Sequence, residues 1–295
     1  MRSISAFAST LICSLALICL LTATVRSQSP TPSPSPSPSP APSLEKNFLR
    51  NIAHDQVGLW TAPFHFSKDE THVAIPLGLA TAALIATDRA SANELGENGG
   101  SISRLRISHA ISHLGGIYST AGIATAFYVS GLATHNWRAR ETGILGGEAL
   151  IDTSIIVAAL KLATQRPRPT VPDPKDDFFD GGSSFPSGHA ANTWALATVI
   201  AHEYHDHKAV QIAAYGLASA VSISRYTGRN HFLSDVLIGG VSGFAIGRYV
   251  YKKHHVELSD GGSGPAKKRS SLLPLASPLY SAKERLYGVS LVWNK

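Results

Sequence analysis

Apolar residues recur with helical spacing in six stretches of the chain, and the alternating pattern of a half-buried strand is almost absent. The six stretches cover residues 73–88, 109–134, 141–164, 187–204, 208–224 and 232–251. A loop rich in Gly, Asn and Ser follows the first stretch, and a loop rich in Pro, Asp and Gly (167–185) follows the third. The pattern predicts an all-α fold, an antiparallel bundle of about six core helices.

Both ends of the chain depart from this pattern. Arg2 followed by an uncharged apolar run is typical of a signal peptide over residues 1–27, with an uncleaved membrane anchor as the alternative. Residues 28–43 alternate Pro with small residues and are expected to form an extended linker. The helical domain is then expected over 44–255. Residues 256–295 are expected to form a polar tail whose last apolar segment, 287–293, is compatible with a short strand.

The positions of the cysteines and the net charge limit the kinds of site and substrate that the chain can have. Both cysteines, Cys13 and Cys19, lie in the predicted signal peptide, which excludes disulfides, thiolate metal sites and cysteine catalysis from the mature chain. Removal of residues 1–27 leaves 24 Lys and Arg against 20 Asp and Glu. This mild excess suits an anionic substrate or a membrane surface. No basic run with interleaved aromatic residues points to nucleic acid, and the sequence does not specify an oligomeric state.

Three short motifs stand in order along the predicted helices. The first is Lys161, six further residues, and Arg168-Pro169; the second is Pro186-Ser187-Gly188-His189; the third is Ser224-Arg225, five residues, His231, three residues, and Asp235. They fall at the end of the third predicted helix, the start of the fourth, the end of the fifth and the start of the sixth. In an antiparallel bundle these points share one end, so the motifs are predicted to form one site.

Five of these residues suit the binding of a phosphoryl group. Catalysis of phosphoryl transfer consists chiefly of positioning and of stabilising the negative charge on the equatorial oxygens. Lys161, Arg168 and Arg225 supply three cations. Ser187 and Gly188 open a helix, whose free N–H groups attract an anion, and Gly188 is expected to leave room for a close approach.

The remaining three residues suit the chemistry itself. His231 and Asp235 are four residues apart at a predicted helix start, so the carboxylate can orient the imidazole of a nucleophile. His189, at the start of the fourth predicted helix, is then placed to protonate the leaving oxygen.

Together the motifs resemble the signature of the type 2 phosphatidic acid phosphatase and vanadium haloperoxidase superfamily, without departure at any motif position. The resemblance implies the corresponding helical-bundle fold, a phosphohistidine on His231, a general acid at His189, and no metal or other cofactor. The expected function is hydrolysis of phosphate monoesters or pyrophosphates, including those of lipids such as phosphatidate, polyprenyl pyrophosphate or a lipid A phosphate. The alternatives are a vanadium-dependent haloperoxidase and a catalytically silent phosphate- or lipid-binding domain.

Other polar clusters are expected to be structural. His109 and His113 have a spacing that could bind zinc but lack an evident third ligand, and the histidines of residues 202–207 are expected to form a polar connection at the far end of the bundle. The acidic residues of 173–180 are interpreted as a flexible lid rather than a calcium site. The aromatic residues Trp60, Phe64 and Phe66 are interpreted as core.

The expected location is outside the cytoplasm, in the periplasm or cell envelope, as a soluble or membrane-associated domain. The end of the bundle opposite the motifs is the basic one, which conflicts with six spans behind an exported N-terminus. The first apolar stretch, about fifteen residues with Pro76 inside it, is too short for a span. Glu148 and Asp152 would be costly if they faced lipid. An integral membrane protein with about five spans is the alternative.

Overall fold

The computed structural model describes residues 44–64, 68–97, 102–171, 177–255, 275–281 and 286–292. The predicted signal peptide and linker lie outside the described residues, as do Phe66, Asp173 and Asp176.

The described part of residues 44–255 is helical, which confirms the predicted all-α bundle. Its helices are α1 (Leu44–Thr61), α2 (Lys68–Glu97), α3 (Ile102–Leu114), α4 (Ile117–Ala133), α5 (Trp137–Thr164), α6 (Gly188–Glu203), α7 (Lys208–Thr227) and α8 (Leu233–His254). A short 3-10 turn, Ala62–Phe64, follows α1.

The described residues after His255 belong to a unit separate from the helical domain. Within it, β1 (Leu275–Ser281) pairs with β2 (Leu286–Val292) as an antiparallel hairpin, with Leu275 opposite Val292. The sequence pattern indicated a strand only near residues 287–293. The partner strand, β1, contains Pro278, and proline is depleted in strands because it cannot donate a hydrogen bond to the ladder. The sequence of β1 therefore did not indicate a strand.

The second predicted helix, 109–134, is wrong as a single element, because the chain forms α3 and α4 with a break at Gly115 and Gly116. A Cβ atom at Gly115 would overlap the Val221 side chain and lie 2.8 Å from Thr193 Oγ1. The break therefore lets this corner pack directly against α6 and α7.

Helix α1 was not predicted, and the side it turns towards the bundle mixes the apolar Phe48 and Leu59 with buried polar groups. Asn51 Nδ2 donates to Glu148 Oε1 at 3.0 Å, and Gln56 Nε2 donates to Asp152 Oδ1 at 2.8 Å. Asp55 is fully buried and forms ion pairs with α8. The two acids of α5 therefore face α1 rather than lipid, which removes one objection to a membrane setting.

Helix α6 lies at the centre of the bundle and packs against α5, α7 and α8. Its contact with α8 runs along three glycines spaced four residues apart: Gly239, Gly243 and Gly247. A Cβ atom at Gly239 would lie 2.5 Å from Ser187 O, and one at Gly243 would overlap Ala191 O. The three glycines let the backbones of α6 and α8 approach closely, which holds together the helix that carries His189 and the helix that His231 precedes.

Within the described residues, two helices are long and apolar enough to cross a membrane. One covers Thr71–Gly96 in α2, with 6% of its most apolar window buried, and the other is α5, with 56% buried. The view that the first apolar stretch is too short for a span was wrong, since α2 continues on both sides of Pro76.

Candidate active site

The three motifs lie at the predicted ends of their helices. Lys161 is in the last turn of α5, Ser187 is the N-cap of α6, and Arg225 is in the last turn of α7. His231 lies just before α8, and Asp235 is in its first turn. Contacts between these residues bring all three motifs to one end of the bundle.

His231 and Asp235 form a buried pair. The imidazole is 3% exposed, and its Nδ1 atom lies 3.4 Å from Asp235 Oδ2. The same carboxylate oxygen accepts a hydrogen bond from Ser184 Oγ and another, at 3.0 Å, from the Phe232 N–H. Because Nδ1 faces the acid, Nε2 is the ring nitrogen available to a substrate.

Asp235 is also held by Arg166, a residue that the motifs did not single out. Arg166 is fully buried, and its Nη1 donates to Asp235 Oδ1 at 2.7 Å and to Ser234 Oγ at 2.7 Å. Its Nη2 donates to the buried Asp88 Oδ2 at 3.0 Å. One guanidinium thus joins α2 to the start of α8.

The sequence carried two signals for this cluster. Arg166-Pro167 and Arg168-Pro169 are consecutive copies of one dipeptide, and only the second was assigned a role. Asp88 is the only carboxylate within the apolar stretch 73–88. Phe232 adds an aromatic face at 4.2 Å from the Arg166 guanidinium, so the burial of this charge is compensated on several sides.

The three predicted cations lie close enough to affect one another. Lys161 donates to the Ser183 carbonyl, Arg225 donates to Ser112 Oγ, and Arg168 is exposed. Burial and then the Arg168 charge lower the pKa of Lys161 to about 8. Burial and then Arg168 also lower the pKa of Arg225 to about 10. Such crowding of positive charge favours an anion and disfavours a metal cation.

The start of α6 adds backbone and side-chain donors. Ser187 is fully buried, and its Oγ forms no hydrogen bond. The Ser187 N–H donates to the Asp235 carbonyl at 2.9 Å, which ties the start of α6 to α8. A Cβ atom at Gly188 would meet only Val157 Cγ1, at an ordinary 3.5 Å. The neighbouring protein atoms therefore do not require glycine at this position.

His189 lies between the cations and the glycine corner. Burial, followed by Arg225 and His231, lowers the pKa of His189 to about 3. A Cβ atom at Gly116 would lie 3.8 Å from His189 Nε2, so the break between α3 and α4 forms a wall of the site. This wall was not predicted, because a Gly-Gly pair within an apolar run is also compatible with a continuous helix.

The weaker sequence signals have mixed outcomes. His109 and His113 lie with ring centroids 6.3 Å apart and belong to no group of three metal-ligating residues in the described part of the chain. Asp177 of the acidic loop pairs with Arg89 at 2.6 Å. The assignment of the aromatic residues to the core was wrong, since Trp60 is 43% exposed and Phe64 is 82% exposed.

Comparison with known proteins agrees with the motifs. Residues 143–258 match the model of the PAP2 superfamily, and all eight candidate residues lie in this range. This segment belongs to the PAP2 superfamily. A 70-residue part of the chain is 39% identical to a lipid A 1-phosphatase of Porphyromonas gingivalis, covering 23% of this chain and 16% of the length of that relative.

Two solved PAP2-type structures resemble the helical domain. Aquifex aeolicus LpxE is 20% identical, with a TM-score of 0.43 over 56% of this chain and 94% of the other. A transmembrane PAP2 type phosphatidylglycerolphosphate phosphatase from Bacillus subtilis is 22% identical, with a TM-score of 0.47 over 62% of this chain and 98% of the other.

Proposed function

We propose that the helical domain hydrolyses phosphate monoesters or pyrophosphates of lipids, without a metal, through a phosphohistidine on His231. The observation that carries the proposal is the meeting of three cations, a helix start and the His231–Asp235 pair at one end of the bundle. Each part supplies a need of phosphoryl transfer: charge stabilisation, orientation and a nucleophile.

In the first step, His231 Nε2 attacks phosphorus while the bond to the leaving oxygen breaks and His189 gives that oxygen a proton. In the second step, water attacks phosphorus, His189 takes up a proton from it, and the N–P bond breaks to release phosphate. His189 needs its proton only with substrate present. A bound phosphate offsets Arg225 and Arg168, which raises the pKa of His189 from its low value in the free enzyme.

A lipid substrate is supported by an apolar groove that leads to the site. A groove of about 840 Å³ runs between α1, α4 and α5 and is lined by residues such as Phe48, Ile117, Ile155 and Ala158. Ala158 also lines a pocket of about 460 Å³ that contains Lys161. An acyl chain in the groove would therefore place its phosphate within a helical turn or so of the cations.

A position outside the cytoplasm and against a membrane fits the exposed surface. Helix α2 exposes Val73, Ile75 and Leu79, and the preceding segment exposes Trp60 and Phe64. Large exposed apolar surfaces mark membrane or protein contacts, and aromatic residues prefer the membrane interface.

The direct test is a screen for phosphate release across lipid phosphates, lipid pyrophosphates and soluble phosphates, with and without EDTA, alongside His231→Ala. We expect turnover of a lipid substrate that survives EDTA and is inhibited competitively by vanadate, a five-coordinate analogue of the transition state. Turnover that EDTA removes without lowering Tm, and that magnesium or zinc restores, would contradict the mechanism. Absence of phosphate release would favour a binding domain, and vanadate-dependent halide oxidation by peroxide would favour a haloperoxidase.

A further inference from the structure

A second cluster of ionisable residues lies at the opposite end of the bundle from the motifs. It contains Glu141 near the start of α5, Glu203 at the end of α6, and His255 directly after α8. His255 Nδ1 lies 3.2 Å from Glu141 Oε1 and 3.4 Å from Glu203 Oε1, and the three ligand atoms are all within 4.8 Å of one another.

The burial of the two carboxyl groups in this cluster favours a positive charge beside them. Glu141 is 1% exposed and Glu203 is 3% exposed, so two carboxyl groups lie side by side away from water. Glu203 Oε1 and His255 Nδ1 form no hydrogen bond. The neighbouring Arg138 directs its Nη1 to both carboxylate oxygens of Asp206, at 3.0 and 3.1 Å. A buried carboxylate oxygen without a hydrogen bond, such as Glu203 Oε1, is normally protonated or bound to a metal.

We infer that Glu141, Glu203 and His255 bind one divalent transition-metal ion, with Zn²⁺ as the best match. Oxygen and nitrogen ligands at about 2.0–2.2 Å from a tetrahedral ion lie ~3.3–3.5 Å from each other, close to the two distances from His255 Nδ1. The Tyr251 ring stacks on the His255 ring with centroids 4.5 Å apart and fixes its plane. The His255 side chain is 25% exposed, which gives the ion a path from solvent.

The ion would have a structural role and would take no part in the reaction. It would join α5, α6 and α8, the helices whose other ends carry Lys161, His189 and His231. Without an ion, burial and then the Glu141 carboxyl raise the pKa of Glu203 to about 9, so a retained proton is the competing arrangement.

The test measures zinc binding to untagged, metal-stripped protein by calorimetry and by elemental analysis after dialysis. We expect one Zn²⁺ per chain, and a rise in Tm on the order of 5 °C when free zinc is 100-fold above Kd. Glu203→Gln and His255→Ala should each weaken binding by at least ~10-fold and remove the rise in Tm. His231→Ala and the exposed His205→Ala should retain both, which separates this site from the active site and from adventitious histidine binding.

Unchanged zinc affinity in both cluster variants would overturn the inference. So would a wild-type protein that binds no stoichiometric zinc while Glu203→Gln is as stable or more stable, since that result identifies a protonated carboxyl. If Glu203→Gln does not fold, His255→Asn gives the same comparison from the exposed side of the cluster. None of these outcomes depends on phosphate release, so this inference and the proposed function can fail separately.

Discussion

Arg166 Nη1 lies 2.7 Å from Asp235 Oδ1, so the carboxylate that faces His231 is held on its other side by a fully buried guanidinium. Burial alone would raise the pKa of Asp235, but the hydrogen bond of His231, the charge of Arg166 and the hydrogen bond of Ser184 keep this pKa low. Asp235 therefore remains an anion that can orient the imidazole and stabilise it when it carries charge.

This contact predicts that substitutions of Arg166 and of Arg168 have different effects on kcat, KM and stability. Arg166→Lys keeps the charge but cannot reach Asp88, Ser234 and Asp235 together, so we expect kcat to fall by ~10–10²-fold with little change in KM. Arg166→Ala leaves two buried carboxylates unpaired and should lower the free energy of unfolding by about 3–5 kcal/mol. Arg168→Lys, at an exposed position, should instead raise KM and leave Tm unchanged. Steady-state kinetics and thermal melts measure both effects; an Arg166→Lys enzyme with normal kcat would contradict the positioning role.

The two histidines should respond differently to the leaving group. His231→Ala should abolish turnover of every substrate, because no described neighbour can replace the nucleophile. His189→Ala should be most damaging for alkyl phosphates, whose leaving oxygen needs a proton, and less damaging for nitrophenyl phosphate by ~10²-fold. The loss of turnover in Asp235→Asn should lie between the losses in these two variants.

Acid quench of the working enzyme with labelled substrate should also trap phosphate on nitrogen, labile to acid and stable to base. Equal losses for good and poor leaving groups in His189→Ala would show that the acid role is assigned to the wrong residue.

The pH dependence of kcat/KM should reflect His231 and Lys161. Burial lowers the pKa of His231 to about 4, so the neutral nucleophile is present above that pH and is lost as pH falls through it. Burial and then Arg168 lower the pKa of Lys161 to about 8, so its positive charge is lost as pH rises through that value. We expect a plateau between these limits for a substrate whose phosphate enters with the proton that His189 then gives to the leaving oxygen.

Lys161→Arg should move the alkaline limb upward by more than one pH unit, because arginine stays charged. The titration of the substrate phosphate is common to both enzymes and cancels in their ratio. An alkaline limb that does not move in Lys161→Arg would assign it to another group.

The glycine contact between α6 and α8 makes a prediction about stability. Gly243→Ala places a Cβ atom onto the Ala191 carbonyl and should lower the free energy of unfolding by about 1–3 kcal/mol. Gly216→Ala in α7 has no heavy atom within 4 Å of the new Cβ and should instead stabilise by about 0.5–1 kcal/mol. Denaturant unfolding of both variants measures the difference, and similar effects at the two positions would mean that α6 and α8 are not in close contact.

The location can be tested with a C-terminal reporter that works only outside the cytoplasm. An exported soluble or peripheral domain should give an active reporter, whereas a protein with five spans, whose last apolar helix ends inside, should not. Extraction with high salt or carbonate then separates peripheral from embedded protein. Reporter activity together with resistance to carbonate would contradict both arrangements.

The sequence was sufficient for most of the catalytic end because its residues belong to short motifs at helix ends, where spacing determines position. It was insufficient for contacts made between distant elements. Arg166 and Ser184, from the loop before α6, contact Asp235, and Asp88 of α2 contacts Arg166. Helix α1 was missed for a related reason, since polar residues that bond to α5 interrupt the apolar positions on its inward side.

The hydrogen bond from the Ser187 N–H to the Asp235 carbonyl, together with the Gly239 contact, joins the anion-binding start of α6 to the residue that orients the nucleophile. The distance between His189 and His231 is therefore set when the chain folds, and substrate binding does not have to assemble it. Such a site reorganises little during the reaction, which is favourable for electrostatic catalysis. Its selectivity among phosphates must then come from how a substrate enters, along the groove of α5 or past the corner between α3 and α4, rather than from closure around the reacting group.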